Sequence, residues 1–159
     1  MKEWNYEKNK NIDINLITSG SAKKVWWKCD KGHSWKAPVS SRQKGVGCPI
    51  CSGHQVLAGY NDLATTHPIL VQEWDYDKNS LDPTIISPNS HKKAWWKCKN
   101  GHEWKTAVSK RTIGQNCPFC SGQKAWQGYN DLSITNPELI SEWDFAKNKG
   151  KEILEAFLG

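Results

Sequence analysis

At 159 residues and 37% hydrophobic content, below the roughly 45–50% of ordinary domains, the chain is too polar for one large core, and its ten Trp against three Phe and one Met concentrate the apolar mass in aromatics. No run approaches the ~18 apolar residues of a membrane span, and the charged start MKEWNYEKNKN lacks the apolar stretch of a secretory leader, so a soluble, cytoplasmic protein is expected. The net charge of +6 favours an acidic partner.

Taken in chain order, the first element is EWNYEKN at 3–9, which returns as EWDYDKN at 73–79 and EWDFAKN at 142–148. It belongs to a longer repeat. Shifted by 69 positions, residues 23–79 overlie 92–148 with 32 identities in 57 positions. The repeat predicts two tandem units, 3–72 and 73–141, followed at 142–159 by the start of a third copy and an end-piece, KGKEILEAFLG, with a short helical pattern.

Next comes WWKC, a predicted short strand in each unit, entering a knuckle. Each unit holds three cysteines, and an odd count fits poorly with disulfides inside a unit. Adding the histidine four residues on gives Cys29-x3-His33-x14-Cys48-x2-Cys51 and Cys98-x3-His102-x14-Cys117-x2-Cys120. Two short ligand pairs separated by a loop can close the tetrahedron that Zn²⁺ forms with thiolate and imidazole. Gly32 and Gly101 supply the positive φ needed to wrap chain around metal. Two structural zinc ions per chain are therefore expected. A histidine in each set and the lack of an open position argue against iron redox or catalytic roles.

After each histidine, HSWKAPV and HEWKTAV fit a second strand or a helical turn, and periodicity leaves both open. CPIC and CPFC form the second knuckle. Helices are expected to begin at Thr66 and Thr135 with Thr as N-cap, the second with capping-box spacing to Glu138. Leu70 with Trp74 and Leu139 with Trp143 then share a helix face, carrying one unit into the next. Alternation turns one Trp of each WW pair inward over the metal site, with Trp35 or Trp104. The other faces outward, packed on the EW segment or free to stack on a base. Trp126, opposite Leu57, is expected to pack. His54, His67 and His91 face Gln123, Asn136 and Ala22 in the other unit, so the duplicated design keeps no free histidine as a base. No catalytic residue is expected.

The pattern CxxGHxW, then R, G, CPxCSG, GYNDL, a TxxPxL-like segment and EWxxxKN, resembles the zinc-ribbon or treble-clef domain found in tandem arrays in bacteria and large DNA viruses, over about residues 3–148. The resemblance implies small α+β zinc-stapled units joined by short helices. It also implies nucleic-acid binding, inferred from the fusion of such domains to nuclease-like ones.

Charge points the same way. Residues 20–51 carry six Lys and one Arg against Asp30, and residues 89–120 carry six Lys and one Arg against Glu103, a net of +6 each. One zinc and three thiolates lower each segment by one. Basic charge thus surrounds the metal and acidic charge fills the linkers, the footprint expected for a polyanion. The duplicated pairs Lys23-Lys24 and Lys92-Lys93 are the candidate phosphate contacts. Lysine outnumbers arginine twenty to two, and Arg42 and Arg111 occupy the same position in each unit. Two uses are open to them: a bidentate fork on phosphate or guanine, or a buried pair with Asp62 and Asp131 or with Glu73 and Glu142. With both arginines counted there are six contacts and a log K against log salt slope of about −5. The favoured function is non-enzymatic binding of nucleic acid, DNA ahead of RNA. A protein adaptor docking an acidic partner is the alternative. An HNH-like nuclease ranks last, because no histidine accompanies the duplicated Asn61-Asp62 and Asn130-Asp131.

Overall fold

The computed structural model describes residues 3–148. The expected helical end-piece from residue 149 onward lies outside them. One compact unit reaches Thr66 and takes in Thr84–Ser87; the other comprises His67–Pro83 and resumes at Pro88.

Each unit is built on one antiparallel hairpin: β1 (Lys24–Lys28) with β2 (Ser34–Pro38), and β3 (Lys93–Lys97) with β4 (Glu103–Ala107). KVWWK and KAWWK favour strand because β-branched and aromatic side chains suit a half-buried pleat. Their alternation is strict. Val25 and Trp27 are buried while Lys24 and Lys28 are exposed and Trp26 is half-buried. Trp27 stands opposite Trp35 and Trp26 opposite Lys36, and the second hairpin repeats this register with Trp96 and Trp104, Trp95 and Lys105. Residues 34–38, open between strand and helix in the sequence, are strand. A single helical turn follows at once, α1 (Val39–Gln43) and α4 (Val108–Thr112).

The EW…KN segments close the free edge of each hairpin. The Lys28 N–H donates to the Glu3 carbonyl at 2.7 Å, and the Asn5 N–H to the Trp26 carbonyl at 3.1 Å. The Asn9 side chain grips the same residue twice, accepting from the Trp26 N–H at 2.9 Å and donating to its carbonyl at 2.7 Å. Asn79 does the same to Trp95 at 2.9 and 2.8 Å. Edge groups that would otherwise invite strand pairing are thereby satisfied. Trp4 and Trp74 pack edge-on against Trp27 and Trp96, with centroids 5.7 and 5.2 Å apart. The EW tryptophan thus covers the inward member of each WW pair, not the outward one. In the first unit the core gathers Trp4, Val25, Trp27, Trp35, Val39 and Ile50 around Cys29 and Cys48.

The helix boundaries differ from expectation. Each connection contains two turns: α2 (Leu63–Thr66) and α3 (Pro68–Val71), then α5 (Leu132–Thr135) and α6 (Pro137–Ile140). Thr66 and Thr135 end the first turn rather than cap the second, and their hydroxyls donate to the carbonyls of Asp62 and Asp131 at 2.6 and 3.0 Å. Proline explains the break. It disfavours helical backbone in the residue before it, and His67 (φ −136°, ψ 58°) and Asn136 (φ −144°, ψ 64°) leave the helix. Helix α3 ends at Val71, so Trp74 sits not on its face but in a bridge to Trp96. Among the described residues no helix is long and apolar enough to cross a membrane.

Asp62 performs the capping assigned to threonine. It is fully buried and accepts from the Thr65 N–H at 2.8 Å, the Thr65 hydroxyl at 2.7 Å and the Gly59 N–H at 2.7 Å. Burial pushes its carboxyl up, but these donors outweigh burial and hold it below the usual carboxylate value. A depressed native value stabilises the fold above the unfolded carboxylate range of about 4, and that contribution is lost as pH falls through the native value. Asp62→Ala is expected to cost about 1–2 kcal/mol at neutral pH, read by urea denaturation with zinc in excess. A midpoint equal to wild type would remove the capping role.

Candidate metal centres

The first knuckle is the β1–β2 turn itself. The Gly32 N–H donates to the Cys29 carbonyl at 3.0 Å and the Cys29 N–H to the His33 carbonyl at 3.0 Å. Gly32 and Gly101 hold φ of 85° and 83°, a region that costs a side chain with a Cβ and costs glycine nothing. In the CPIC and CPFC knuckles the Ser52 N–H donates to the Cys48 carbonyl at 3.1 Å and the Ser121 N–H to the Cys117 carbonyl at 3.0 Å.

These turns bring the expected ligands together. In each of the sets Cys29, His33, Cys48, Cys51 and Cys98, His102, Cys117, Cys120, the ligand atoms all lie within 4.8 Å of one another. Cys29 Sγ is 3.8 Å from Cys51 Sγ and 3.5 Å from His33 Nδ1; Nδ1 is 3.2 Å from Cys51 and 3.8 Å from Cys48. In the second set Cys98 Sγ is 3.7 Å from Cys120, and His102 Nδ1 lies 3.6, 3.2 and 3.7 Å from Cys98, Cys120 and Cys117. A tetrahedron with Zn–S bonds of ~2.3 Å has edges of ~3.8 Å. The donor set fits chemically as well. Three crowded thiols cannot all ionise without a cation. Burial and the neighbouring thiols push Cys51 up to about 11, while Cys29, although burial opposes it, is held down by the backbone N–H groups of His33 and Lys31. In the second set burial pushes Cys117 up to about 11, and Cys120 is held down by Asn100 against its own burial.

A supporting layer escaped the sequence reading. Tyr60 and Tyr129, from the two GYNDL segments, set their rings 4.4 Å from His33 and His102. Lys31 Nζ donates to the Tyr60 hydroxyl at 3.3 Å, whereas Asn100 reaches both the Tyr129 hydroxyl at 3.1 Å and Cys120 Sγ at 3.3 Å. The Asn61 amide donates to the carbonyls of Ile50 and Gln55, both at 3.0 Å, and Asn130 does the same to Phe119 and Lys124 at 2.7 and 2.9 Å. Each GYNDL segment is thus a strap over the CPxC knuckle, and the Asn-Asp pairs weighed for an HNH-like site are engaged in holding it. Trp126 sets its ring 4.8 Å from Phe119 and 4.8 Å from His102, the packing expected of it, with its outer part left exposed. The duplication of GYNDL was the available signal.

Arg42 and Arg111, placed in the sequence among the candidate nucleic-acid contacts or as partners of a carboxylate, each form an ion pair with a glutamate of their own unit. Arg111 is 3% exposed, forms an ion pair with Glu73 and donates to the Gln115 carbonyl. Its guanidinium lies 5.2 and 5.3 Å from the rings of Trp96 and Trp104. Arg42 repeats this with Glu3, Val46, Trp27 and Trp35. The partner of Arg42 is the EW glutamate of its own unit, not Glu73 or Asp62, so the EW motif delivers an ion pair and an aromatic contact together. Lys23, Lys24, Lys92 and Lys93 are exposed at the entrance of β1 and β3.

A protein-family model described as a probable treble clef zinc finger domain matches residues 1–54 and again 70–123. Among curated proteins the chain is similar to the SPbeta prophage-derived uncharacterized protein YomD of Bacillus subtilis (strain 168), with 27% identity over 118 residues. That match covers 74% of the chain and 41% of the relative's length.

Proposed function

Given that the chain belongs to the probable treble clef zinc finger domain family, we propose that it binds nucleic acid, DNA ahead of RNA, without catalysis, through lysines on its two zinc-held hairpins. The observation that carries this reading is the exposure, at matching positions in both units, of Lys23, Lys24, Lys92 and Lys93 beside a net charge of +6. Zinc acts as a staple: the three thiolates and one imidazole of each set fix the hairpin turn and the CPxC knuckle, and the hairpin presents its cations. Six thiols held as metal ligands suit the reducing cytoplasm, where we place the protein.

With the arginines withdrawn, the duplicated lysine pairs alone supply four phosphate contacts and a log K against log salt slope near −3.6, from roughly −0.9 per contact on duplex DNA, and each further lysine contact steepens it. Fluorescence anisotropy with duplex and single-stranded DNA and with RNA, from about 20 to 200 mM salt, measures it. Lys23→Ala is expected to weaken binding evenly across sequences. Absence of binding at the lowest salt, with capture of an acidic polypeptide instead, would replace this reading by the adaptor one.

A further inference from the structure

The outward faces of the two hairpins are built alike but charged differently. On β1–β2, Lys24, Trp26 and Lys28 face away from the core, and Lys36 and Ser34 stand opposite Trp26 and Lys28. Trp26 gathers two ammonium groups over its ring, Lys8 at 4.2 Å from the centroid and Lys36 at 5.7 Å. Among the described residues, none of Lys8, Lys24, Lys28 or Lys36 has a carboxylate within ion-pair distance.

On β3–β4, Trp95 holds Lys78 at 5.0 Å and Lys105 at 5.7 Å in the same way. Here, however, Glu103 stands where the first unit has Ser34. It pairs with Lys78 and, at 3.3 Å, with Lys97. Asp75 adds negative potential around Lys78 where the first unit has the neutral Asn5, while Asp77 is matched there by Glu7. A phosphate approaching the first face meets four cations with no bound counter-ion. One approaching the second must displace a carboxylate from two of them.

We infer that the units are unequal: the outer face of β1–β2, where Trp26 holds Lys8 and Lys36 beside Lys24 and Lys28, is the primary phosphate-docking surface, and Glu103 weakens its counterpart on β3–β4. The tryptophan answers for the geometry. Attraction between ammonium groups and the ring face orders two flexible lysines before a ligand arrives, so less entropy is lost on binding. This rests on the nucleic-acid reading above and adds to it the surface and the ranking of the units.

Exchange of one residue between the units tests it. Ser34→Glu is expected to weaken duplex DNA binding about ten-fold at low salt and to make the salt slope shallower by about 1–2, as one or two phosphate contacts are lost. Glu103→Ser is expected to strengthen binding and steepen the slope. Each variant installs the residue that the equivalent position already carries, and zinc content and thermal unfolding verify that each still folds. Since Ser34 accepts a hydrogen bond from Asn5 at 3.1 Å, Lys8→Ala serves as a second variant that leaves this contact intact, and it too should weaken binding. If wild type binds DNA while Ser34→Glu, Lys8→Ala and Glu103→Ser all bind equally well, the ranking is wrong and the nucleic-acid reading stands. If Glu103→Ser alone changes affinity, the second unit is the primary reader and the inference is overturned. If wild type binds no nucleic acid, both fall together.

Discussion

Chelation of zinc is expected to unfold both units, with loss of near-ultraviolet circular dichroism from the buried tryptophans. The packing gives the reason. In the first unit two of the buried core residues, Cys29 and Cys48, are themselves ligands, and His33 is buried beside them. Without a cation the three crowded thiols cannot all ionise, and nothing ties the hairpin turn to the CPxC knuckle. Zinc contributes about 10–16 kcal/mol to small domains of this kind at neutral pH, as much as or more than the 5–15 kcal/mol or so by which whole domains are stable. Cys48→Ser should reduce the bound zinc from two to one, as native mass spectrometry would show, and unfold the first unit while the second melts as in wild type. Acidification should release metal as protons displace it from the thiolates. Native protein free of zinc, or an unchanged spectrum after chelation, would falsify the staple.

Arg111→Ala is the second large effect, a loss of about 3 kcal/mol. The guanidinium lies over the neighbouring rings of Trp96 and Trp104, one nitrogen paired with Glu73 and another donating to the Gln115 carbonyl. Truncation uncovers two buried rings and leaves a half-buried carboxylate without its partner. Arg111→Lys should recover little, because an ammonium is neither flat nor able to donate in two directions from one plane. Arg42→Ala should cost less, since the Arg42 side chain is 16% exposed against 3% for Arg111. Guanidinium chloride denaturation gives the stability. The salt slope on DNA should not change in either variant while the fold holds. Normal stability with a shallower slope would return these arginines to the interface.

The amino-acid sequence by itself determined the metal ligands, the tandem repeat and the strand over WWKC. These are local properties: ligand spacing is fixed by chain connectivity, and a strand's alternation can be read from five residues. The sequence also narrowed Arg42 and Arg111 to two roles. Tertiary structure supplied a carboxylate partner for each, because which carboxylate lies beside a guanidinium depends on the fold. Glu3 and Glu73 are brought there by the EW segment closing the hairpin edge. The same closure decided which tryptophan of each pair the EW residue covers. Tyr60 and Tyr129 reach the ligating histidines across a folded strap, a contact no periodicity encodes. The helix starts were misjudged by a few residues although every residue involved was visible. Thr66 and Asp62 both have N-cap chemistry, and the contest was settled by the Gly59 turn, which brings its own N–H to the Asp62 carboxylate. The imbalance between the hairpin faces was written in the sequence as Ser34 against Glu103. It acquired meaning only when cross-strand register and the KN segment set that carboxylate against Lys78 and Lys97, because electrostatic attraction depends on distance in space and not along the chain.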